Sequence, residues 1–440
     1  MIKQEGLHFY INIDNFSDIV QQEEKVNNQV NHSIHALDTF FSSIEYYGSK
    51  YYSSIFHVEK ITGSRLHLYA TGTVREAYEC LSAIAEYSFL LTAHFSSSIA
   101  KYKSLLPFII TIGAAYGHFY DFQFVHDSID ESTTIGYAAN LGAKIQGITP
   151  KMHLAISESI WEALYPHDKE IYQKVKDGRL EKYEQSCYYA AALKSISSTR
   201  DYSEAIARSS IIAQKTNLTD MEFRGAVQPL AFSGLSTQHG KRIQGIPLFA
   251  DVRGFTKKFD SDDANLEEMA ATTQRILVAM YSCVKTNNGV HVQFQGDREL
   301  ALFHDYPNHI CYEDAVLTGM RIIDAVKPFN VSVGVGQAYG TIYATKIGAR
   351  GQRDNLLIGS TVLIADELED SFAAENQIAI SAEIYFALKQ HNPMLAKQFV
   401  KISNSAYIAT IGYNDYKDYV SHYLLARSNQ QNSYNGAWSE

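Results

Sequence analysis

Two aspartates occupy positions where a carboxylate could do chemistry. In LFADVRGFT, Asp251 directly follows an apolar run that reads as a strand. In FQGDREL, Asp297 sits at a Gly-containing turn between two short alternating runs, the pattern of a hairpin tip. If those strands are neighbours, the two carboxylates converge at one sheet edge. Mg²⁺ and Mn²⁺ take hard oxygen ligands, commonly one or two carboxylates plus phosphate oxygens. A pair of such ions clamps the attacking and leaving oxygens of a phosphoryl displacement. The backbone N–H groups of Gly254, Phe255 and Thr256, in a turn leading into a helix, could hold phosphate. Taken singly, Asp251 also reads as a helix N-cap and Asp297 as ordinary turn chemistry. The surrounding segments decide.

Those segments repeat. ITIGAAYG (110–117) matches VGVGQAYG (333–340), and IGYAANLGAKIQ (135–146) matches IGSTVLIADELE (358–369) at the same spacing along the chain. HLAISESIWEAL (153–164) matches QIAISAEIYFAL (377–388) one residue further on. The openings correspond more loosely: LHFYINIDNFSDIV (7–20) to IPLFADVRGFTKKF (246–259), and EKITGSRLHLYATG (59–72) to VQFQGDRELALFHD (292–305). Such order at nearly constant spacing marks a tandem duplication with diverged halves. Between the openings lie amphipathic stretches such as 265–286, apolar at helical spacing. Each half reads strand–helix–hairpin–helix–strand, an α+β unit with an antiparallel sheet and helices on one face.

FADVRGFT, then FQGD, then VGVGQAYGTIYATKIGARGQRDNLLIGSTVLIADELE resembles the catalytic domain of class III nucleotidyl cyclases, the adenylate/guanylate cyclase family. The resemblance covers about residues 244–390 and, through the duplication, extends to 7–165. It implies two ferredoxin-like domains in tandem, paired head to tail as a pseudo-heterodimer with sites in the groove between them. It also implies two Mg²⁺ or Mn²⁺ ions as cofactors. Asp251, with the adjoining Val252, and Asp297 match the family's metal positions, and their first-half counterparts are Asn12 and Ser64. Asp14 lies two positions off that motif.

The family's Asn/Arg pair, four residues apart on a helix, falls on Asn140 and Lys144, against Leu363 and Glu367 in the second half. Spacing i, i+4 puts both on one helix face, although such a pair elsewhere is usually just a solvated face. Each half therefore keeps one matching half-set, which implies one working site and one degenerate site. Lys144 in place of Arg keeps the charge but loses the planar fork. The base-reading positions fall on Lys60 and Thr133, the latter replacing a carboxylate. A hydroxyl can donate or accept, so adenine reading is weakened. With that altered pocket and no attached sensor, the chain looks most similar to bacterial pyrimidine cyclases of anti-phage defence, which make cyclic CMP or cyclic UMP.

Composition is compatible with this resemblance and removes other classes. The 440 residues suggest two or three domains. We divide them into a degenerate cyclase homology domain (1–194), a linker (195–240), a metal-binding cyclase domain (241–425) and a polar tail (426–440). Lys plus Arg number 38 against 48 Asp plus Glu, a net charge of −10, so there is no electrostatic footprint for nucleic acid. Four scattered cysteines form no CxxC pair or disulfide framework, no secretory apolar core opens the chain, and no run is long enough to span a membrane. A cytoplasmic setting is expected. The 16 His show no paired zinc-ligand spacing, and GxxxxGK[ST] and HExxH are absent. The expected partners are a nucleoside triphosphate, the other half of the chain or a second copy, and an activator the chain does not specify. The competing readings are an adenylate or guanylate cyclase, a silent nucleotide-binding regulatory module, and a scaffold that uses the fold only for pairing.

Overall fold

The computed structural model describes residues 2–27, 29–127, 129–196, 199–215, 217–254, 266–348 and 353–422. The first half runs β1 (Ile2–Ile13), α1 (Phe16–Asn27), α2 (Asn31–Tyr51), β2 (Phe56–Thr62), β3 (Arg65–Thr71), α3 (Val74–Ser97), β4 (Ile110–His126), β5 (Ile129–Ile135), α4 (Tyr137–Ile148), β6 (His153–Ile156), α5 (Glu158–Ala163), α6 (Pro166–Lys169), β7 (Gln173–Lys176) and β8 (Cys187–Ala192). The connector carries α7 (Ser203–Gln214) and β9 (Glu222–Arg224). The second half runs β10 (His239–Arg253), α8 (Leu266–Thr286), β11 (Val290–Gln295), β12 (Arg298–His304), α9 (Tyr312–Val326), β13 (Ser332–Gln337), β14 (Gly340–Ile347), β15 (Asp354–Ile358), α10 (Ser360–Glu367), β16 (Gln377–Ser381), α11 (Ala382–His391), α12 (Pro393–Ala396), β17 (Val400–Lys401) and β18 (Ala406–Ala409).

The duplication is visible in the sheets. One has the order β2-β3-β1-β4-β6-β8-β7 and the other β11-β12-β10-β13-β16-β18-β17, strand for strand. Alternation decides which face each residue meets. On β1, Leu7, Phe9, Ile11 and Ile13 enter the core, packing with α2 residues Ile34, Leu37, Phe40 and Ile44 at helical spacing. The intervening His8, Tyr10 and Asn12 face the other way, opposite Tyr69, His67 and Arg65 of β3. On that second face lies α4, and only a glycine lets it settle so close: a Cβ on Gly113 would meet the Gln146 backbone nitrogen at 2.2 Å. Gly336 seats α10 in the same way, where a Cβ would meet Ala365 O at 2.3 Å.

The halves exchange arms. The β4–β5 arm puts Phe124 and Ile135 into the second half's core, while the β14–β15 arm puts Tyr343, Ile347, Leu356 and Ile358 into the first's. Phe124 meets Phe294 edge-on at 4.6 Å between ring centroids. Burying large apolar side chains is worth roughly 1.5–3 kcal/mol each, so the reciprocal arms bind the halves into one pseudo-symmetric pair. The connector is structured rather than loose. Tyr87 donates to Ala205 O of α7 at 2.9 Å, and β9 pairs in parallel with the start of β10. Among the described residues, no helix is long and apolar enough to cross a membrane.

Candidate functional site between the halves

Antiparallel pairing places Asp251 of β10 opposite Arg298 of β12, so the tip of the β11–β12 hairpin lies beside the end of β10. Gly296 makes that tip with φ +71°, a left-handed turn position suited to glycine. Asp297 follows it. Burial, then the charge of Asp251, then that of Glu369 push the Asp297 carboxyl well above its usual range. Two carboxylates that raise each other's cost of ionisation make a cation-seeking pair. Among the described residues no set of three or more His, Cys, Asp or Glu forms a metal-ligand cluster, so this pair needs further oxygens, such as phosphate, to complete a coordination shell. Arg253 Nη1 contacts Asp251 Oδ2 at 3.1 Å and its Nη2 reaches Glu369 Oε1 at 2.6 Å. Arg298 bridges Asp366 and Glu369. Val252 points its side chain into the second core and pairs with Val333. Gly254 ends the strand at φ +68°. Phe255 and Thr256 lie outside the described residues.

Asn140 and Lys144 stand one turn apart on α4, both part-exposed. Among the described residues no hydrogen bond or ion pair engages either side chain, although Lys144 lowers the carboxyl of Asp177 through its field. Tyr10 Oη donates to Ala139 O at 3.0 Å and so fixes the turn that carries Asn140.

Lys60 and Thr133 come together with a residue the sequence reading passed over. Lys60 is 6% exposed, and its ammonium donates to Glu131 Oε2 at 3.1 Å and to Phe294 O, across the interface, at 2.8 Å. A bulge between Val58 and Lys60 inserts Glu59. Glu59 Oε1 accepts from the Thr134 N–H at 2.5 Å, and the Thr133 side chain bonds to its carboxylate. Burial raises the Glu59 carboxyl to about 7 against the pull of Lys60 and the Thr134 N–H. Glu131 continues the network into the second half through His291 Nε2 at 3.0 Å and the Phe294 N–H at 3.0 Å, and His291 Nδ1 meets Glu299 at 2.8 Å. Burial works against charge on His291, but Glu299 and Glu131 outweigh it and hold the imidazolium up to about 9. One signal for Glu131 existed: its repeat counterpart is Asp354, also acidic, whose Oδ2 accepts from the Ile61 N–H at 2.7 Å. Bulge-borne Glu59 left no such trace.

The mirror-image positions satisfy themselves. Asn12 Nδ2 donates to Asp14 Oδ1 at 2.7 Å, Ser64 Oγ to Asn12 Oδ1 at 3.0 Å, Thr111 Oγ1 to Asp14 Oδ1 at 2.8 Å and Gln146 Nε2 to Thr111 Oγ1 at 2.8 Å. Opposite, α10 exposes Leu363 and Glu367, and α1 packs against α10.

This architecture has a counterpart among solved structures. A class III adenylyl cyclase-like ATP-binding protein from Pseudomonas aeruginosa superposes with a TM-score of 0.73 at 16% identity, covering 94% of this chain and 90% of that one. The adenylyl cyclase CyaB of P. aeruginosa is 21% identical over 38% of this chain and 93% of that one, with a TM-score of 0.33. A guanylate cyclase domain from Catenaria anguillulae is 21% identical over 39% and 99%, with a TM-score of 0.33. No family model and no curated protein matches the chain. The fold is a tandem of two class III cyclase-like domains, paired within one chain.

Proposed function

We propose that the chain is a nucleotidyl cyclase with one composite site, converting CTP or UTP to the 3′,5′-cyclic nucleotide and pyrophosphate. The observation that carries this is the asymmetry of the two half-sites. Asp251 and Asp297 form a mutually repelling part-exposed pair beside Arg253, and among the described residues no partner holds the Asn140 or Lys144 side chain, whereas Asn12, Asp14 and Ser64 are joined by hydrogen bonds. Pseudo-symmetry supports bringing the first two sets together. Arg65 at the first hairpin tip feels Asp366 of α10 from the other half, and the duplication supports an equivalent approach of the Asp297 tip to α4 as part of this proposal.

The donor chemistry fits the expected ions. Asp251 and Asp297, with the adjoining Val252, would hold Mg²⁺ or Mn²⁺, which when bound neutralise the triphosphate and acidify the ribose 3′-hydroxyl. The Gly254 N–H, with those of Phe255 and Thr256, holds phosphate oxygens. Asn140 orients the ribose. The 3′ oxygen loses its proton to solvent and bonds to the α-phosphorus as the bond to pyrophosphate breaks in line. Lys144 neutralises the charge developing on the α-phosphate. Thr133 in place of a base-reading carboxylate favours a pyrimidine, and we read the product as a second messenger in antiviral defence.

A silent nucleotide-binding module is the second reading, favoured by the ion pair between Arg253 and Asp251. The similar Pseudomonas protein is described as ATP-binding, which fits either reading. Parallel substitutions decide. Asp251→Ala abolishes cyclic product while Asn12→Ala leaves it largely intact, both read by mass spectrometry of the nucleotide products. Equal damage from both contradicts the one-site account.

A further inference from the structure

Resting on the cyclase reading, we propose that Glu59 is the residue that reads the base, and that it selects an amino-bearing base over its oxo analogue, hence CTP over UTP. Three carboxylates surround Lys60: Glu59, Glu131 and Asp354. Two are already committed. Glu131 takes Lys60, His291 and the Phe294 N–H, and Asp354 takes the Ile61 N–H at the domain interface. Lys60 itself spends its ammonium on Glu131 and on the Phe294 carbonyl, which removes it as a free reader of a base.

Glu59 differs from all of these. Alternation along β2 puts it on the face of His57, with Tyr69 and Tyr10, and the bulge brings Lys60 onto that face as well; the hydroxyls of Tyr69 and Tyr10 feel the charge of Glu59. It remains part-exposed. The Thr134 N–H and the Thr133 side chain fix its carboxylate, yet a carboxylate has about four acceptor positions, so capacity remains for a ligand. The acceptor that Thr133 cannot supply is thus present one strand away, held by Thr133 itself.

Above about pH 7, where Glu59 is ionised, its carboxylate accepts from the exocyclic amino group of cytosine. Set against the carbonyl of uracil it places acceptor against acceptor, and a buried unmatched pair is where polar discrimination is greatest. A residue that merely pins β2 to β5 would not distinguish the two bases, so the ratio of the two substrates separates the roles.

The test uses the full chain and the ratio of kcat/KM for CTP to that for UTP, with ATP and GTP as a second amino/oxo pair. Wild type favours CTP. Glu59→Gln keeps the side-chain shape and the oxygen that accepts from Thr134, but offers a donor as well, so the ratio falls by about tenfold or more. Thr133→Val, which removes only the orienting hydroxyl, lowers the ratio in the same direction. A ratio unchanged within about twofold in folded, active Glu59→Gln overturns the proposal. If wild type forms no cyclic product, the same ratio is read from equilibrium binding of α,β-methylene CTP and UTP. Selective binding lost in Glu59→Gln then upholds base reading while the cyclase reading falls. Binding without selectivity, or no binding, overturns the proposal.

Discussion

At the residue scale, the proposed half-sites differ from their mirror-image positions in charge. Asp251 and Asp297 repel each other beside Arg253, and Lys144 acts on the Asp177 carboxyl through its field. A point-charge ammonium can meet a phosphate but cannot fork across two oxygens. Lys144→Ala should therefore lower kcat by roughly 100-fold, the scale of losing one preorganised transition-state donor, with little change in KM. Lys144→Arg should retain activity. Steady-state kinetics on the two variants checks this, and a loss confined to KM would remove Lys144 from the chemical step. The residues proposed for this site can be picked out in the sequence because the metal and Asn/Lys positions lie in repeated motifs whose other copy has changed. Glu59, Tyr10 and Glu369 cannot, because their roles depend on a carboxylate meeting a neighbouring strand, on a hydroxyl reaching another element, and on a helix seated over a sheet. None of these leaves a spacing signature.

At the element scale, the two glycine seats separate structure from function. Gly113 seats α4, which carries Asn140 and Lys144, and Gly336 seats α10, which carries Leu363 and Glu367. An added methyl at either meets helix backbone, and overpacking of this kind typically costs about 1–3 kcal/mol. Gly113→Ala and Gly336→Ala should thus lower the melting temperature comparably, yet Gly113→Ala should depress cyclisation far more. Comparable activity losses would mean that α10 serves the site as well. Strands, hairpins and the long helices followed from alternation and helical periodicity. The break that splits the second half's counterpart of β4 into β13 and β14 did not, since ITIGAAYG and VGVGQAYG read alike while only the latter run is interrupted, between Gln337 and Gly340.

At the scale of the whole molecule, a charged network joins the halves beside Glu59 and Thr133. His291 is held protonated up to about 9, above its ordinary 6.5, so folding gains from its charge. That contribution is complete below pH 6.5 and is lost as pH rises through about 9. Glu59 and Asp354, raised to about 7 and about 6, also weaken the fold as pH rises, but at lower pH. The difference between wild type and His291→Gln isolates the histidine. Removing one partner of a buried pair costs about 3–5 kcal/mol, so His291→Gln should melt earlier at pH 6.5, with the gap narrowing towards pH 9. A gap independent of pH in thermal denaturation would show that His291 contributes no charge to the interface.

The central claim is a single composite cyclase site, and its most direct measurement is product identity. Purified full chain is incubated separately with CTP, UTP, ATP and GTP in Mn²⁺ or Mg²⁺, and the products are resolved by mass spectrometry. The account predicts a 3′,5′-cyclic pyrimidine nucleotide with stoichiometric pyrophosphate, absent when Asp251 is replaced by Ala. Cyclic product that persists in Asp251→Ala, or nucleotide binding without cyclisation of any of the four, would contradict it.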